Sequence, residues 1–261
     1  MNLKLRAPRE SRQQAHCPSP TPLLRRSFLQ SSAKAAAAAI LPATLLGQKP
    51  GGPDGHDKYY SVTTNERLMR EHGIVTRGLL MYGEMIRRID ARQDFPLETA
   101  HNVVQIIRKY FEDYHQKLED DYILPLFHAY YRRQDVLRLY AQKLLDLVIV
   151  LEEQHKAGRR LTDRILATLR SLKTQEDRRR LARDLQASIR MYSPHIVRED
   201  TVLYPALHII TAPEEFAALG DKFDEIERKT FGTDGFDMYL DLVTGYEKHL
   251  GVYDMAQFTA K

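Results

Sequence analysis

His115-Gln116-Lys117-Leu118-Glu119-Asp120-Asp121-Tyr122-Ile123-Leu124-Pro125-Leu126-Phe127-His128 returns, 80 residues later, as His195-Ile196-Val197-Arg198-Glu199-Asp200-Thr201-Val202-Leu203-Tyr204-Pro205-Ala206-Leu207-His208. His, Glu, Asp, Pro and His fall at the same offsets in both copies. Residues four apart share a helix face, so His115 with Glu119 and His195 with Glu199 each project an imidazole and a carboxylate in one direction. A single His-x-x-x-acid pair carries little weight, because a chain with ten histidines and 35 acidic residues holds about one by chance. Recurrence of the whole segment gives it weight.

Outward from these segments, apolar residues three and four apart mark four helical stripes, each containing a histidine. The first runs Leu68, His72, Val75, Leu79, Tyr82, Ile86, Ile89, and the second Val104, Ile107, Phe111, His115, Leu118, Tyr122. The third runs Leu144, Val148, Leu151, His155, Gly158, Thr162, Ile165, Leu169, and the fourth Leu181, Leu185, Ser188, Tyr192, His195, Glu199, Val202. Breaks at 92–96, 132–135 and 171–175 are short, which makes consecutive helices antiparallel neighbours. The expected fold is therefore all-α, an up-down-up-down four-helix bundle over 64–212 built as a duplicated hairpin.

His72, His115, His155 and His195 are separated by 43, 40 and 40 residues, compatible with one common height in such a bundle. One histidine on an apolar face is more often a satisfied core residue than a ligand. Four at one level leave several polar nitrogens in a dry core, at a cost that a metal removes. The only cysteine, Cys17, lies near the start of the chain, so imidazole and carboxylate must do any metal chemistry in the body. Two glutamates able to bridge and four histidines able to terminate suit a pair of iron ions, with manganese or zinc as lesser alternatives.

This six-residue pattern, across about 64–212, resembles hemerythrin-like proteins, specifically the histidine-histidine-glutamate cation-binding domain. The resemblance implies His72 and His155 as single terminal ligands, and His115 with Glu119 and His195 with Glu199 as pairs of histidine and bridging glutamate. It implies a non-haem di-iron protein that binds dioxygen, nitric oxide or peroxide for sensing, buffering or detoxification. The same centre could turn over as a peroxidase or nitric oxide reductase if a partner supplied electrons, or deliver iron for repair; a metal-free helical scaffold is the remaining reading. Oxygen-carrying hemerythrins have a second histidine on the third helix, and Arg159 stands at that position here. They also bridge with an aspartate at the position of Asp200, which makes Asp200 a reserve for Glu199 and otherwise a group expected to support the ligands.

Glu112-His115 and Glu152-His155 have the Glu-x-x-His spacing of ferritin-like centres, but helix four offers Tyr192 in place of the glutamate. Glu112 and Glu152 are expected to support the ligands or to face solvent, and Tyr114, Tyr122 and Tyr192 either to bond a small ligand or to fill the core. His101 lies 14 residues before His115, about 21 Å along a helix, and cannot reach the same centre. His128 and His208, each 13 residues beyond its partner and past a proline, are equally remote and expected to cap or pack.

Composition frames these readings. At 43% hydrophobic and 28% charged the chain is not mainly disordered. The net charge of +4 comes from Met1 to Gly47, which holds seven basic residues and one acidic, leaving 32 basic and 34 acidic residues in the remainder and no nucleic-acid footprint. Leu24-Arg25-Arg26-Ser27-Phe28-Leu29-Gln30, followed by the uncharged run from Ala35 to Leu46, resembles a twin-arginine export signal over 1–47 and implies the export machinery as a partner and a periplasmic location. Residues 48–63 read as a linker. No stretch is long and apolar enough for stable membrane insertion. A C-terminal extension, 213–261, is expected to form helices beginning at Pro213 and after Gly235 that pack on the bundle or mediate self-association.

Overall fold

The computed structural model describes residues 62–134 and 136–260, which belong to one compact unit. The expected export signal and nearly all of the expected linker lie outside them. Among the described residues there are six helices and no strand. Helix α1 spans Thr64–Asp90. Helix α2 covers 97–133, as Leu97–Ile106, a π-helical stretch Ile107–His115, Gln116–Leu118, a π-helical turn Glu119–Ile123, and Leu124–Arg133. Helix α3 spans Arg138–Arg170. Helix α4 covers 175–210, as Gln175–Arg198, a π-helical turn Glu199–Leu203, and Tyr204–Ile210. Helices α5, Pro213–Phe231, and α6, Gly235–Leu250, complete the chain with a short 3₁₀ turn at Met255–Phe258.

Local chemistry sets the ends. Thr63 and Glu66 form a capping box at the start of α1, and Thr174 and Asp177 form another at α4, satisfying backbone N–H groups that a helix start leaves free. Gly232 and Gly251, both at φ 71°, close α5 and α6 in the left-handed conformation that only glycine enters without strain.

Helix α1 packs against α2 and α4, and α3 against the same two, closing the four-helix bundle. The expected stripes are its core, with three departures. Ile86 is only half-buried while Met85 is sealed. Val202 is exposed while Leu203 and Tyr204 are fully buried, and Tyr122 is only half-buried while Ile123 is sealed. The changes at Val202 and Tyr122 fall within π-helical turns, in which one extra residue per turn advances the buried face by one position. The turn also precedes Pro125 and Pro205, whose missing N–H could not close a regular α-helical bond there.

The two C-terminal helices pack on the bundle. Phe223 and Val243 are fully buried, and Tyr110 packs against Tyr239 with ring centroids 4.4 Å apart. Arg67 on α1, almost buried, pairs with Asp224 and Glu227 of α5. Arg77 binds Glu247 of α6, and Arg88 donates to the Leu250 carbonyl at 2.8 Å.

Candidate metal centre

All six expected ligand side chains meet in the middle of the bundle, each no more than 2% exposed. Their donor atoms gather in two overlapping groups, His72, His115 and Glu119 on one side and Glu119, His155, His195 and Glu199 on the other, with the atoms of each group within 4.8 Å of one another. His195 Nε2 lies 3.1 Å from Glu199 Oε1, and His72 Nε2 3.3 Å from Glu199 Oε2. Glu119 Oε2 is 3.5 Å from His155 Nε2 and 3.6 Å from His115 Nε2. Adjacent ligands about 2.1 Å from one ion stand roughly 3 Å apart, so these separations suit donors around shared ions.

The outward nitrogen of every histidine is held. His72 Nδ1 donates to Asp200 (2.8 Å), His115 Nδ1 to Glu71 (2.6 Å), His155 Nδ1 to Asp120 (2.7 Å) and His195 Nδ1 to Gln154 (2.9 Å). A carboxylate or amide oxygen can only accept, so Nδ1 carries a proton and the lone pair each histidine can offer a cation is that of Nε2, which faces the cluster. The arrangement follows the duplication. Asp200 and Asp120 follow Glu199 and Glu119, while Glu71 and Gln154 precede His72 and His155.

Whether metal fits is answered by what the inward atoms lack. Glu119 Oε2, both oxygens of Glu199, His155 Nε2 and His195 Nε2 are buried without a hydrogen-bond partner. Five such atoms facing one another carry a desolvation cost of about 1–3 kcal/mol each or more, which cations offset. The acid–base balance reflects the same demand. Burial opposes protonation of His72 and His155, yet Asp200 and Glu199 raise the former and Asp120 and Glu199 the latter to about 10. Glu119 is pushed up by burial first and by Glu199 second. Burial would raise Glu199 too, but His195, His155 and His72 hold it well below the usual carboxylate range. His115 is driven well down by burial and then by His72. The carboxylates draw positive charge to themselves from the imidazoles.

The other residues singled out from sequence lie outside the donor cluster. Asp200 turns to His72 Nδ1, the supporting place expected for it, and Glu199 itself stands among the donors. Glu152 pairs with His128 at 2.9 Å and is about one-third exposed, pointing away from the centre. Glu112 accepts from Thr162 (2.5 Å) and Tyr192 (2.9 Å). Neither glutamate joins the gathered donors, and the ferritin-like spacing is not used. Tyr114 reaches Glu71 at 3.4 Å, and Tyr122 packs edge-on against Phe223, so no tyrosine singled out from sequence enters the cluster. Arg159 turns outward to Asp113 and the Glu112 carbonyl. His101 lies beside Gln105, and His208 packs edge-on against Phe216.

Four residues escaped sequence reasoning: Glu71, Asp120, Gln154 and Tyr204. The fully buried Tyr204 hydroxyl donates to Glu119 Oε1 at 2.9 Å and lies 3.2 Å from His72 Nε2 and 3.4 Å from His115 Nε2. Five residues after Glu199, it would leave that face of an α-helix; the π-helical turn brings it back. A signal was present, because Tyr204 aligns with Leu124 where the flanking positions 123 and 203, 125 and 205 match in kind.

A model of the hemerythrin HHE cation-binding domain matches residues 63–207. The chain is 41% identical over 247 residues to uncharacterized proteins of Mycobacterium bovis and of two Mycobacterium tuberculosis strains, covering 92% of this chain and 92% of theirs. No solved structure matches it.

Proposed function

We propose, starting from the fact that the chain belongs to the hemerythrin HHE cation-binding family, that the buried cluster holds two iron ions and that the protein binds dioxygen or a related small oxidant, nitric oxide or peroxide. The observation that carries the reading is the set of five unpartnered buried donor atoms facing one another between four oriented imidazoles. Bound iron would supply coordination positions for a small molecule and the capacity to exchange electrons with it.

The chain's own residues select what reaches that place. Phe111, fully buried, stands 5.2 Å from the His115 ring, 6.1 Å from His72 and 6.4 Å from His195, an apolar wall that disfavours water and charged solutes. Asp120, Asp200, Glu71 and Gln154 hold the imidazoles in the tautomer that a cation needs. Arg159, at the position where oxygen carriers of the family bear a histidine, weighs against simple oxygen storage; a second reading is that the oxidant is turned over with electrons from a partner.

Metal analysis with an optical spectrum recorded before and after oxygen, nitric oxide and peroxide tests the proposal. Two irons per chain and a spectral change with at least one of these are expected; fewer than two irons, or no response to any, overturns it. Steady-state consumption of peroxide or nitric oxide would move the balance to turnover. We extend the proposal to export, on the twin arginines Arg25 and Arg26; R25K/R26K should retain a reporter fused to residues 1–47 in the cytoplasm, and unchanged export would overturn it.

A further inference from the structure

We infer that the two metal positions are unequal: Tyr204 supplies a phenolate oxygen to the ion between His72 and His115, leaving the ion between His155 and His195 to take the exogenous small molecule. The inference rests on the two-ion reading and adds which ion does what.

It follows from comparing the halves of the duplication. The Tyr204 oxygen is 2.9, 3.2 and 3.4 Å from Glu119 Oε1, His72 Nε2 and His115 Nε2, the same spacing that separates the other inward donors from one another. It occupies the place of a further ligand on that side. The side chain is fixed there: its ring stacks on His72 at 5.5 Å and 22°, and Asn65 donates to its carbonyl at 2.8 Å. In the other half the aligned residue is Leu124, buried and without a donor atom. A second difference points the same way. The partner of His115 Nδ1 is the carboxyl group of Glu71, which is able to ionise, whereas the partner of His195 Nδ1 is the amide of Gln154, which stays neutral. A carboxylate on the outer nitrogen makes the imidazole the stronger donor. The His72–His115 side therefore collects Asp200, Glu71 and Tyr204, and the His155–His195 side Asp120, Gln154 and Leu124.

When the ion binds, the phenol O–H bond is replaced by an oxygen–metal bond, the proton leaves to solvent and no electron changes hands. Tyr204 thus fills a position on one ion that stays open on the other.

The test is resonance Raman spectroscopy of the iron(III)-loaded protein excited in the visible. Wild type should show tyrosinate vibrations and a phenolate-to-iron charge-transfer band, and growth on ring-deuterated tyrosine should shift those vibrations. Tyr204→Phe should abolish band and vibrations while keeping two irons and the ability to bind azide. Two irons without tyrosinate vibrations in wild type, or a Tyr204→Phe variant that retains them, overturns the inference alone. Fewer than two irons in wild type overturns the two-ion reading and the inference with it. Should the variant fail to fold, the deuterium shift in wild type decides.

Discussion

Asp120 and Asp200 each stand next to a glutamate of the cluster, yet reach across to a histidine on a different helix. Both aspartates are partly solvent-exposed, so removing them costs the fold little while freeing an imidazole that a metal needs oriented. Asp120→Ala and Asp200→Ala should each weaken iron binding by roughly 10–100-fold, measured by competition with a chromogenic chelator. Wild-type affinity in both would show that the Nδ1 contacts do not tune the site. The histidines and glutamates of the centre were legible because their spacing repeats along one helix face. Glu71 and Gln154 were not, because an acceptor for Nδ1 is defined by which helix lies opposite, and periodicity along one helix does not report that.

The π-helical turns and the tight crossing of α3 with α4 belong to the scale of the element. A Cβ built on Gly158 of α3 would overlap the Tyr192 hydroxyl, which donates to Glu112. Alanine improves helix propensity by about 1 kcal/mol, but displacing Tyr192 in a packed core costs about 1–3 kcal/mol and breaks the bond to Glu112. Gly158→Ala should therefore lower stability in chemical denaturation, and adding Tyr192→Phe, which removes the overlapping oxygen, should recover part of the loss; a more stable Gly158→Ala would refute the crossing. Helix boundaries were readable from the breaks, as 92–96, 171–175 and Pro213 show. The switch of burial from Val202 to Leu203 was not, because a period of 3.6 cannot register an extra residue in one turn.

Linkage between metal and protons belongs to the whole molecule. His72 and His155 are raised from 6.5 to about 10, and Glu71 is raised by burial from 4.5 to about 8. A group whose folded value is raised adds stability below its unfolded value and loses it as pH climbs through the folded one. Protein stripped with a chelator should accordingly become less stable between pH 7 and 10. With metal bound, the cations replace those protons, so the stabilisation by metal should widen over the same interval, because protons no longer compete for the ligands. Thermal unfolding with and without chelator across that range checks this, and parallel curves would contradict it. The C-terminal helices belong to the same scale: Phe223, sealed in the core, contributes about 2–3 kcal/mol by burial. Where they dock could not be read beforehand, since an amphipathic stripe fits any complementary face. By itself the sequence determined four helices, their direction, the duplication and six converging donors, because those depend on spacing along one chain. Only the tertiary structure decided which acceptor holds each imidazole, that Tyr204 enters the centre and that its counterpart does not, because these are set by distances between helices and by the local unwinding of two of them.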